Sequence, residues 1–513
     1  MSPRTWLLLG ALTAASGVLY GTRLDYAPAF LMHDELQFSL QAKAIASTGR
    51  DLSGRFLPVF FTEPEFPAGR DPAIIYVTAA ALAWLPFSEA SVRLPTALLG
   101  VLDVTLMFLL ARRLFGRDSM AGIAAGFLAL TPALFIRSRL VLSPQSSIPI
   151  ILAWLLSMAA FSDRPSERRL AIGALWLGFG AYTYLAWVVM VPVYLLLTVA
   201  LGYRWGGKRA AMIAGAAFVA PLIPMAWWYA THPERYRQIL EAYQLYSAGT
   251  TAAPAPGAVS SALQTRIGLF WSFFNPAFLF LSGDSSLINS TRQAGLFPLS
   301  FAVFMPLGAY RLVIARSTPA TLVLVGLATA PLAAIVTGAL EMNRILFAIP
   351  FGVLAACYGA DALLKSHSRG WRTIAVLLIA AVPLQFAGFY QDYMGRYRVE
   401  AGRWFGGNTR EALTAVIDAA VADPQRRVYL SRAIPFAGRY WRFYALAGQR
   451  PDMIDRAVYY GPDPPAGALP GAALVCPLAA AECGALLHDA GWRHVRSIDD
   501  LDGTPSFALL EKR

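Results

Sequence analysis

The chain has 513 residues, of which 57% are hydrophobic and only 14% are charged. A soluble globular protein carries about 25% charged residues, so this composition excludes an ordinary soluble enzyme and a disordered chain. Three cysteines are too few for a framework of disulfides. The long apolar runs indicate a protein that crosses a membrane several times. The net charge of +12 needs no nucleic-acid partner, because basic residues accumulate in the cytoplasmic loops of membrane proteins.

The apolar runs predict about eleven membrane spans. We interpret the first, Thr5–Tyr20, as a retained helix with its N-terminus inside rather than as a signal peptide, because further spans follow it. The uncharged run Leu170–Leu201 would be about 48 Å long as one helix. A hydrocarbon layer is about 30 Å thick, so we divide this run near residues 182–186 into two spans. The other spans are Leu94–Ala111, Ser119–Ile136, Ser147–Phe161, Ala210–Ala230, Leu296–Leu312, Ala320–Leu340, Ile345–Leu364 and Thr373–Phe389.

Loop charge predicts the orientation of these spans. The segment Ala73–Phe87 is apolar enough to cross, but we place it at the outer interface as an amphipathic or re-entrant helix. With that placement, five basic clusters all lie in cytoplasmic loops, as the positive-inside rule requires. The clusters are Arg112, Arg113 and Arg117; Arg164, Arg168 and Arg169; Arg204, Lys208 and Arg209; Arg311 and Arg316; and Lys365, Arg369 and Arg372. Residues 21–93, 232–295 and 391–513 are then outside.

The last segment differs in composition from the spans and predicts a separate domain. Residues 391–513 alternate short predicted strands and helices, which is typical of a small α/β domain. The helices are Asn408–Ala422 and Ala481–Ala490, and the strands are Arg427–Ser431, Ala472–Cys476 and Ser506–Leu510. A disulfide between Cys476 and Cys483 is left open. The predicted fold is therefore a mainly α membrane helix bundle over residues 1–390, followed by an α/β domain.

Two adjacent acids open the predicted helix Asp34–Ser47. Asp34 and Glu35 lie at its N-terminus, where the helix dipole stabilises negative charge. One interpretation is a helix start with solvated acids. The other is a carboxylate held at the membrane surface, where it can act as a general base.

Four arginines that we place outside depart from the positive-inside rule, one in the first predicted outer loop and three in short outer turns between spans. They are Arg70, Arg137, Arg139 and Arg344. A guanidinium stays charged and binds phosphate in a bidentate manner, so this group indicates a phosphate site. The alternative is that their side chains reach toward lipid headgroups.

These features in this order resemble a known family. One span, an outer loop with an Asp-Glu pair, an interfacial helix and then RLPTALLGVLDVTLMFLLARRLFGR resemble the GT-C membrane glycosyltransferases. The branch is that of the protein O-mannosyltransferases and the bacterial aminoarabinose transferases of lipid A. The turn RSRLVLSP and the segment NRILFAIPFGVLAACYGADALL are similar to later parts of the same family. The resemblance covers roughly residues 1–390.

The resemblance implies a metal-independent, inverting transfer of one sugar from a polyprenyl-phosphate carrier to a periplasmic glycan, lipid or protein. By position in the family's pattern, Asp34 would be the catalytic base, Glu35 would assist or orient it, and the four arginines would bind the carrier phosphate. His33, Lys43 and Tyr76 are expected to neighbour the substrate. The expected location is a bacterial inner membrane, with the catalytic face and the C-terminal domain in the periplasm.

Neither a cofactor nor a metal is expected. The related oligosaccharyltransferases carry acids in the second outer loop and use a divalent metal, whereas here no acid lies between Ile136 and Phe161. Two other classes stay open. A transporter or flippase of a lipid-linked substrate would share the spans and the arginines, and a structural membrane subunit would share the spans alone. A transporter is expected to show pseudo-symmetric halves and broken helices at mid-membrane, and the sequence shows neither clearly.

Overall fold

The structure is a computed structural model that describes residues 1–63, 66–234, 237–238, 258–421, 426–465 and 467–513. Residues 239–257 of the predicted outer loop 232–295 lie outside this description. The chain divides into two compact units. We call Met1–Thr22, Ser53–Val77 and Leu94–Gln391 the helical unit, and Arg23–Leu52, Thr78–Arg93 and Asp392–Arg513 the mixed unit.

Helices dominate the described chain. They are α1 (Pro3–Gly21), α2 (His33–Thr48), α3 (Pro72–Leu82), α4 (Glu89–Phe115), α5 (Asp118–Ala129), α6 (Pro132–Arg137), α7 (Ser147–Asp163), α8 (Glu167–Gly180), α9 (Trp187–Val219), α10 (Ile223–Thr231), α11 (Ala258–Phe273), α12 (Phe301–Ala315), α13 (Thr318–Thr329), α14 (Leu332–Thr337), α15 (Met342–Ile345), α16 (Ala348–Leu364), α17 (Arg369–Met394), α18 (Arg396–Glu400), α19 (Thr409–Val421), α20 (Ala437–Ala447) and α21 (Ala481–His488). The strands are β1 (Phe61–Glu63), β2 (Phe66–Arg70), β3 (Val428–Ser431), β4 (Ala457–Tyr460), β5 (Ala473–Pro477), β6 (Trp492–Asp499) and β7 (Pro505–Lys512).

The chain is a multi-pass membrane protein. Among the described residues, five helical segments are long and apolar enough to cross a bilayer. They are Glu89–Phe115, Ser143–Asp163, Trp187–Thr231, Thr318–Val336 and Arg369–Glu400. The predicted count of eleven spans is not confirmed, because some predicted spans are broken into shorter pieces. Ser119–Ile136, for example, forms α5 and α6 with a break between them. The predicted division of Leu170–Leu201 is confirmed, since α8 ends at Gly180 and α9 begins at Trp187.

Close helix packing in the helical unit depends on glycine. A Cβ atom added to Gly308 of α12 would overlap the carbonyl oxygen of Ala355 in α16. A Cβ atom on Gly359 of α16 would overlap the carbonyl oxygen of Phe304 in α12 in the same way. The two backbones therefore approach each other more closely than any side chain permits, as is common where membrane helices pack through small residues.

A buried polar pair also lies within the helical unit. Asp103 of α4 and Gln145 of the 3-10 turn Ser143–Ser146 are both fully buried. The Gln145 amide donates a hydrogen bond of 2.8 Å to the Asp103 carboxyl group. A buried polar group is expensive unless it has such a partner, so this pair stabilises the packing of α4 against the turn.

The mixed unit contains a five-stranded sheet in the order β4-β3-β5-β7-β6. Strand β3 is parallel to β4 and to β5, and β7 is antiparallel to β5 and to β6. Cys476 and Cys483 form a disulfide inside the apolar core between this sheet and α21. The predicted α/β character is confirmed.

The sequence prediction omitted four elements of this unit, namely α18, β4, α20 and β6. Five consecutive residues in the middle of β6 are exposed, which is typical of an edge strand and gives no apolar alternation to detect. In β7, Glu511 accepts hydrogen bonds from Arg493 and, at 3.0 Å, from Arg426. The hydrogen bond from Arg493, together with the charge of both arginines, lowers the pKa of Glu511 below its ordinary value of 4.5.

Candidate functional site

Asp34 lies in the first turn of α2. Its side chain is 26% exposed, and its carboxylate is 3.6 Å from the ring nitrogen Nε2 of His33. The helix starts where it does because the Glu35 carboxylate accepts a hydrogen bond of 3.2 Å from the backbone N–H of Met32, one of the donors that a helix start leaves without an intrahelical partner. Asp34 is therefore a partly accessible carboxylate, held at the end of a helix whose dipole favours its negative charge.

Glu35 is in a different environment from its neighbour. It is fully buried and forms a bidentate ion pair with Arg93, which is also fully buried. Arg93 Nε is 2.9 Å from Glu35 Oε1, and Arg93 Nη2 is 3.0 Å from Glu35 Oε2. A carboxylate with both oxygens occupied by a buried arginine cannot readily take a proton from a substrate. This geometry favours the orienting role for Glu35 over the catalytic one.

Arg93 also fixes the chain in front of Asp34. Residues 24–32, which we call the Asp34 loop, contain only turns, bends and irregular backbone. Arg93 Nη1 donates to the carbonyl oxygens of Leu24 and Pro28, both at 2.8 Å, and Nη2 donates to that of Phe30 at 2.6 Å. Buried carbonyls outside helices and sheets need donors from elsewhere. Arg93 supplies three of them while it pairs with Glu35.

A second ion pair lies beside the first in the mixed unit. Glu89 is 8% exposed. It accepts a hydrogen bond of 2.6 Å from Arg410 of α19 and one of 2.9 Å from the hydroxyl of Tyr444 in α20. Burial, followed by the nearby Glu89 carboxylate, raises the pKa of Tyr444 well above its ordinary value of 10.0. The hydroxyl therefore stays protonated and continues to donate.

The mixed unit also contains an open cavity of about 590 Å³ beside this ion pair. Glu89, Arg410 and Tyr444 line part of its wall, and Asp34 is not among the residues that line it. The Glu89–Arg410 pair is therefore reached from the cavity, whereas the Glu35–Arg93 pair is sealed.

Two of the predicted phosphate-binding arginines are connected within the helical unit. Arg137 is fully buried and donates to the side chain of Asn289. Asn289 donates at 2.8 Å to Asp284, which also accepts at 2.7 Å from the backbone N–H of Met342 in α15. Arg344 belongs to the same short helix, is 19% exposed, and lies 3.5 Å from Glu341. A chain of hydrogen bonds thus joins Arg137 to the helix that carries Arg344.

The other two arginines differ in their surroundings. Arg139 is fully buried, and its Nη1 donates to the carbonyl oxygens of Tyr20 at 3.0 Å and of Thr22 at 2.9 Å. It therefore holds the chain at the end of α1. Arg70 ends β2, where its backbone pairs with that of Phe61. The phosphate-binding role of all four arginines stays a prediction.

The three predicted neighbours of the substrate make their own contacts. The ring of His33 stacks on that of Phe436, with 4.6 Å between the ring centroids. The Lys43 ammonium lies 5.9 Å from the ring centroid of Phe87. The hydroxyl of Tyr76 donates to the carbonyl oxygen of Pro58 at 2.7 Å. The mixed unit contains His33 and Lys43 with Asp34 and Glu35, whereas Tyr76, Arg137, Arg139 and Arg344 belong to the helical unit.

The sequence prediction omitted five residues whose ion pairs and hydrogen bonds reach the Asp34 loop, Glu35 or one another. They are Arg93, Glu89, Arg410, Tyr440 and Tyr444. Arg93 did carry a signal, because it heads the apolar run RLPTALLG and is a further arginine in a predicted outer loop. The other four carry none, since nothing in the sequence connects α19 and α20 to residues some 320 or more positions earlier. The structure separates Glu89 from Arg410 by 321 positions and Leu31 from Tyr440 by 409.

Within the described residues, no group of three or more His, Cys, Asp or Glu side chains could hold a metal ion. The prediction of a metal-free site is not tested by this observation. The roles of the nine residues predicted for the site also stay predictions.

Comparison with known proteins identifies the fold. Residues 67–228 match a family described as dolichyl-phosphate-mannose-protein mannosyltransferase, while no individually curated protein matches the sequence. The apo crystal structure of ArnT from Cupriavidus metallidurans is 15% identical with a TM-score of 0.60, covering 98% of this chain and 97% of that one. The same protein bound to undecaprenyl phosphate is 14% identical with a TM-score of 0.61, covering 99% and 98%. An oligosaccharyltransferase from Archaeoglobus fulgidus, in complex with Zn and sulfate, is 14% identical with a TM-score of 0.49, covering 86% of this chain and 61% of that one.

The similarity to ArnT extends over nearly the full length of both chains and therefore identifies the architecture. At such low sequence identities, the similarity shows the fold and not the activity. The chain therefore has the ArnT-like GT-C fold, and the fold expected from its resemblance to the GT-C membrane glycosyltransferases is confirmed.

Proposed function

We propose that this protein is a membrane glycosyltransferase that moves a single sugar from a polyprenyl-phosphate carrier to a hydroxyl, or a similar group, of an acceptor. The observation that carries the proposal is the contrast between two adjacent acids. Asp34 is partly exposed at a helix start, whereas Glu35 is sealed in an ion pair with Arg93. The family match over residues 67–228 and the binding of undecaprenyl phosphate by ArnT support this choice of donor.

In the proposed reaction, Asp34 takes the proton from the acceptor hydroxyl as its oxygen attacks the anomeric carbon. The bond from that carbon to the carrier phosphate breaks, so the configuration inverts and polyprenyl phosphate leaves. The leaving group is already a weak base, and it therefore needs electrostatic stabilisation more than a proton. Among Arg137, Arg139 and Arg344, the last suits this role best, because Arg137 and Arg139 are fully buried while Arg344 is 19% exposed. No metal is required in this scheme.

The proposed setting is the bacterial inner membrane, with the N-terminus inside and the catalytic face and the sheet of the mixed unit in the periplasm. The positive-inside distribution of the five basic clusters supports this orientation. The acceptor is then a periplasmic glycan, lipid or protein, and the sugar is a hexose, a pentose or one of their derivatives.

The test is to replace Asp34 and follow donor and product together. A strain lacking the gene is complemented with the wild type, with Asp34→Asn, or with Asp25→Asn, an exposed acid of the same loop. Mass spectrometry of lipids and glycoconjugates is expected to find the modified acceptor with the wild type and with Asp25→Asn. With Asp34→Asn, at equal protein levels in the membrane, it is expected to find accumulated sugar-bearing polyprenyl phosphate and no modified acceptor.

Restored modification by Asp34→Asn would contradict the proposed mechanism. The flippase alternative makes a different prediction for the deletion strain. A flippase deletion strands its lipid-linked substrate on the cytoplasmic leaflet, whereas a transferase deletion leaves the donor accessible to a periplasmic probe. A donor found only on the cytoplasmic leaflet would therefore favour the flippase.

A further inference from the structure

Helices α19 and α20 of the mixed unit supply hydrogen-bond donors to the backbone that precedes Asp34. Tyr440 of α20 is 4% exposed, and its hydroxyl donates a hydrogen bond of 2.8 Å to the carbonyl oxygen of Leu31. Arg410 of α19 donates to the carbonyl oxygen of Ala29. Both acceptors belong to the Asp34 loop, which has no helix or sheet of its own at these residues.

These two donors complement those of Arg93. Arg93 binds the carbonyls of Leu24, Pro28 and Phe30, while Arg410 and Tyr440 bind those of Ala29 and Leu31. Five carbonyls within eight residues are thus held by three long side chains from distant parts of the sequence. A segment held in this way has one backbone path, because moving it would leave several buried acceptors without donors at once.

The C-terminal part also contacts the residue next to Asp34. Phe436, directly before α20, stacks on His33 with 10° between the ring planes. The guanidinium of Arg439 lies over the ring of Phe436, 4.9 Å from its centroid. The two residues flanking the start of α2, Leu31 and His33, are therefore both positioned by the segment 436–440.

We propose that the C-terminal part of the mixed unit is a positioning element for the catalytic base, with Tyr440 as its main positioning residue. This inference rests on the proposed function of Asp34. Tyr440 touches no reacting atom. It fixes the carbonyl of Leu31, and through it the start of α2, at the position from which the Asp34 carboxylate meets the acceptor hydroxyl. Displacing a reacting group by about 1 Å can lower a rate by about a hundredfold.

The test removes one hydroxyl and separates rate from binding. The enzyme is the full chain in detergent, and the donor is the sugar-bearing polyprenyl phosphate isolated from membranes of the deletion strain. Tyr440→Phe is expected to lower kcat about tenfold to a hundredfold with the KM for that donor unchanged. The matched control is Tyr459→Phe on β4, a half-exposed tyrosine of the same unit, which is expected to leave both constants unchanged.

A double variant distinguishes positioning from a merely structural role. If Tyr440 acts through Asp34, adding Tyr440→Phe to Asp34→Asn is expected to slow the residual reaction no further. An additional slowing of the same size as in the wild-type background would overturn the positioning role. So would an unchanged kcat in Tyr440→Phe while Asp34→Asn is strongly slowed, and that result would leave the proposed function standing. Full activity of Asp34→Asn would instead overturn the proposed function.

A second variant keeps the inference testable if Tyr440→Phe does not accumulate in the membrane. Phe436 is 42% exposed, so Phe436→Leu is expected to fold normally while removing the ring that stacks on His33. A lower kcat with an unchanged KM supports the positioning role, and unchanged values of both constants contradict it.

Discussion

Removing the guanidinium of Arg93 tests how much its ion pair with Glu35 and its contacts with the Asp34 loop contribute to the stability of the protein. Arg93→Met keeps a long apolar stem but leaves the Glu35 carboxylate buried without its partner, since both side chains are 0% exposed. Breaking one side of a buried ion pair costs about 3–5 kcal/mol. Three backbone carbonyls of the Asp34 loop lose their donor as well, so the value should fall at the upper end of that range.

The measurement is the apparent thermal unfolding midpoint of the purified protein in detergent. Unfolding of such proteins is commonly irreversible, so all variants are compared at one heating rate. For a unit of this size, each kcal/mol corresponds to about 2–4 °C, and a cost of about 5 kcal/mol for Arg93→Met is therefore expected to lower the midpoint by about 10–20 °C. Arg432→Met replaces an exposed arginine of the same unit and is expected to change the midpoint little.

A double variant separates the ion pair from the carbonyl contacts. Glu35→Met combined with Arg93→Met removes the unpaired buried charge, so part of the lost stability should return relative to Arg93→Met alone. It should not return fully, because the carbonyls of the Asp34 loop still lack their donor. A midpoint for Arg93→Met equal to that of the wild type, or losses that simply add in the double variant, would refute the reasoning.

Three further predictions concern other parts of the chain. Gly308→Ala is expected to lower the free energy of unfolding by about 1–3 kcal/mol or more, and with it the unfolding midpoint, because its Cβ would overlap α16. Gly388→Ala has open space around it and should be neutral. Gln145→Leu should destabilise the protein by about 1–3 kcal/mol, because it removes the donor to Asp103. Glu511 has a lowered pKa in the folded protein. Its contribution to stability is therefore complete above its unfolded pKa and is lost as the pH falls through the folded pKa. The unfolding midpoint of Glu511→Gln should then fall less steeply than that of the wild type as the pH is lowered.

The sequence predicts the start of α2 but not the division of labour between its two acids. Consecutive residues on a helix point about 100° apart, so one acid of an adjacent pair can face the core while the other faces outward. Which one does so depends on Arg93, which lies 58 positions from Glu35. The local sequence pattern predicts that an acid at a helix start can cap the helix. It gives no information about an ion-pair partner so far away along the chain.

The predicted spans show what hydrophobic composition reveals about the membrane part and what it does not. Hydrophobic runs located the spans because their composition alone decides whether a segment can lie in lipid. The prediction of one span over Ser119–Ile136 missed a break that the sequence does signal, because Thr131 and Pro132, where α5 gives way to α6, form the pattern of an N-cap followed by proline at the first helical position. A break of this kind is tolerated where neighbouring side chains satisfy the freed backbone groups, as Thr131 does by donating its hydroxyl to the carbonyl of Phe127 at 2.7 Å.

The arginines of the predicted outer loops can now be separated by what their donors bind. Arg93 and Arg139 are fully buried, and both donate to backbone carbonyls at the end of a predicted span. Five N–H donors in a rigid fork suit this task, because the chain that leaves a membrane helix has several carbonyls without helical partners. An arginine that departs from the positive-inside rule therefore need not bind phosphate. Among Arg137, Arg139 and Arg344, partial exposure of the guanidinium selects Arg344, at 19% exposure, as the residue whose replacement should raise the KM for the polyprenyl-phosphate donor.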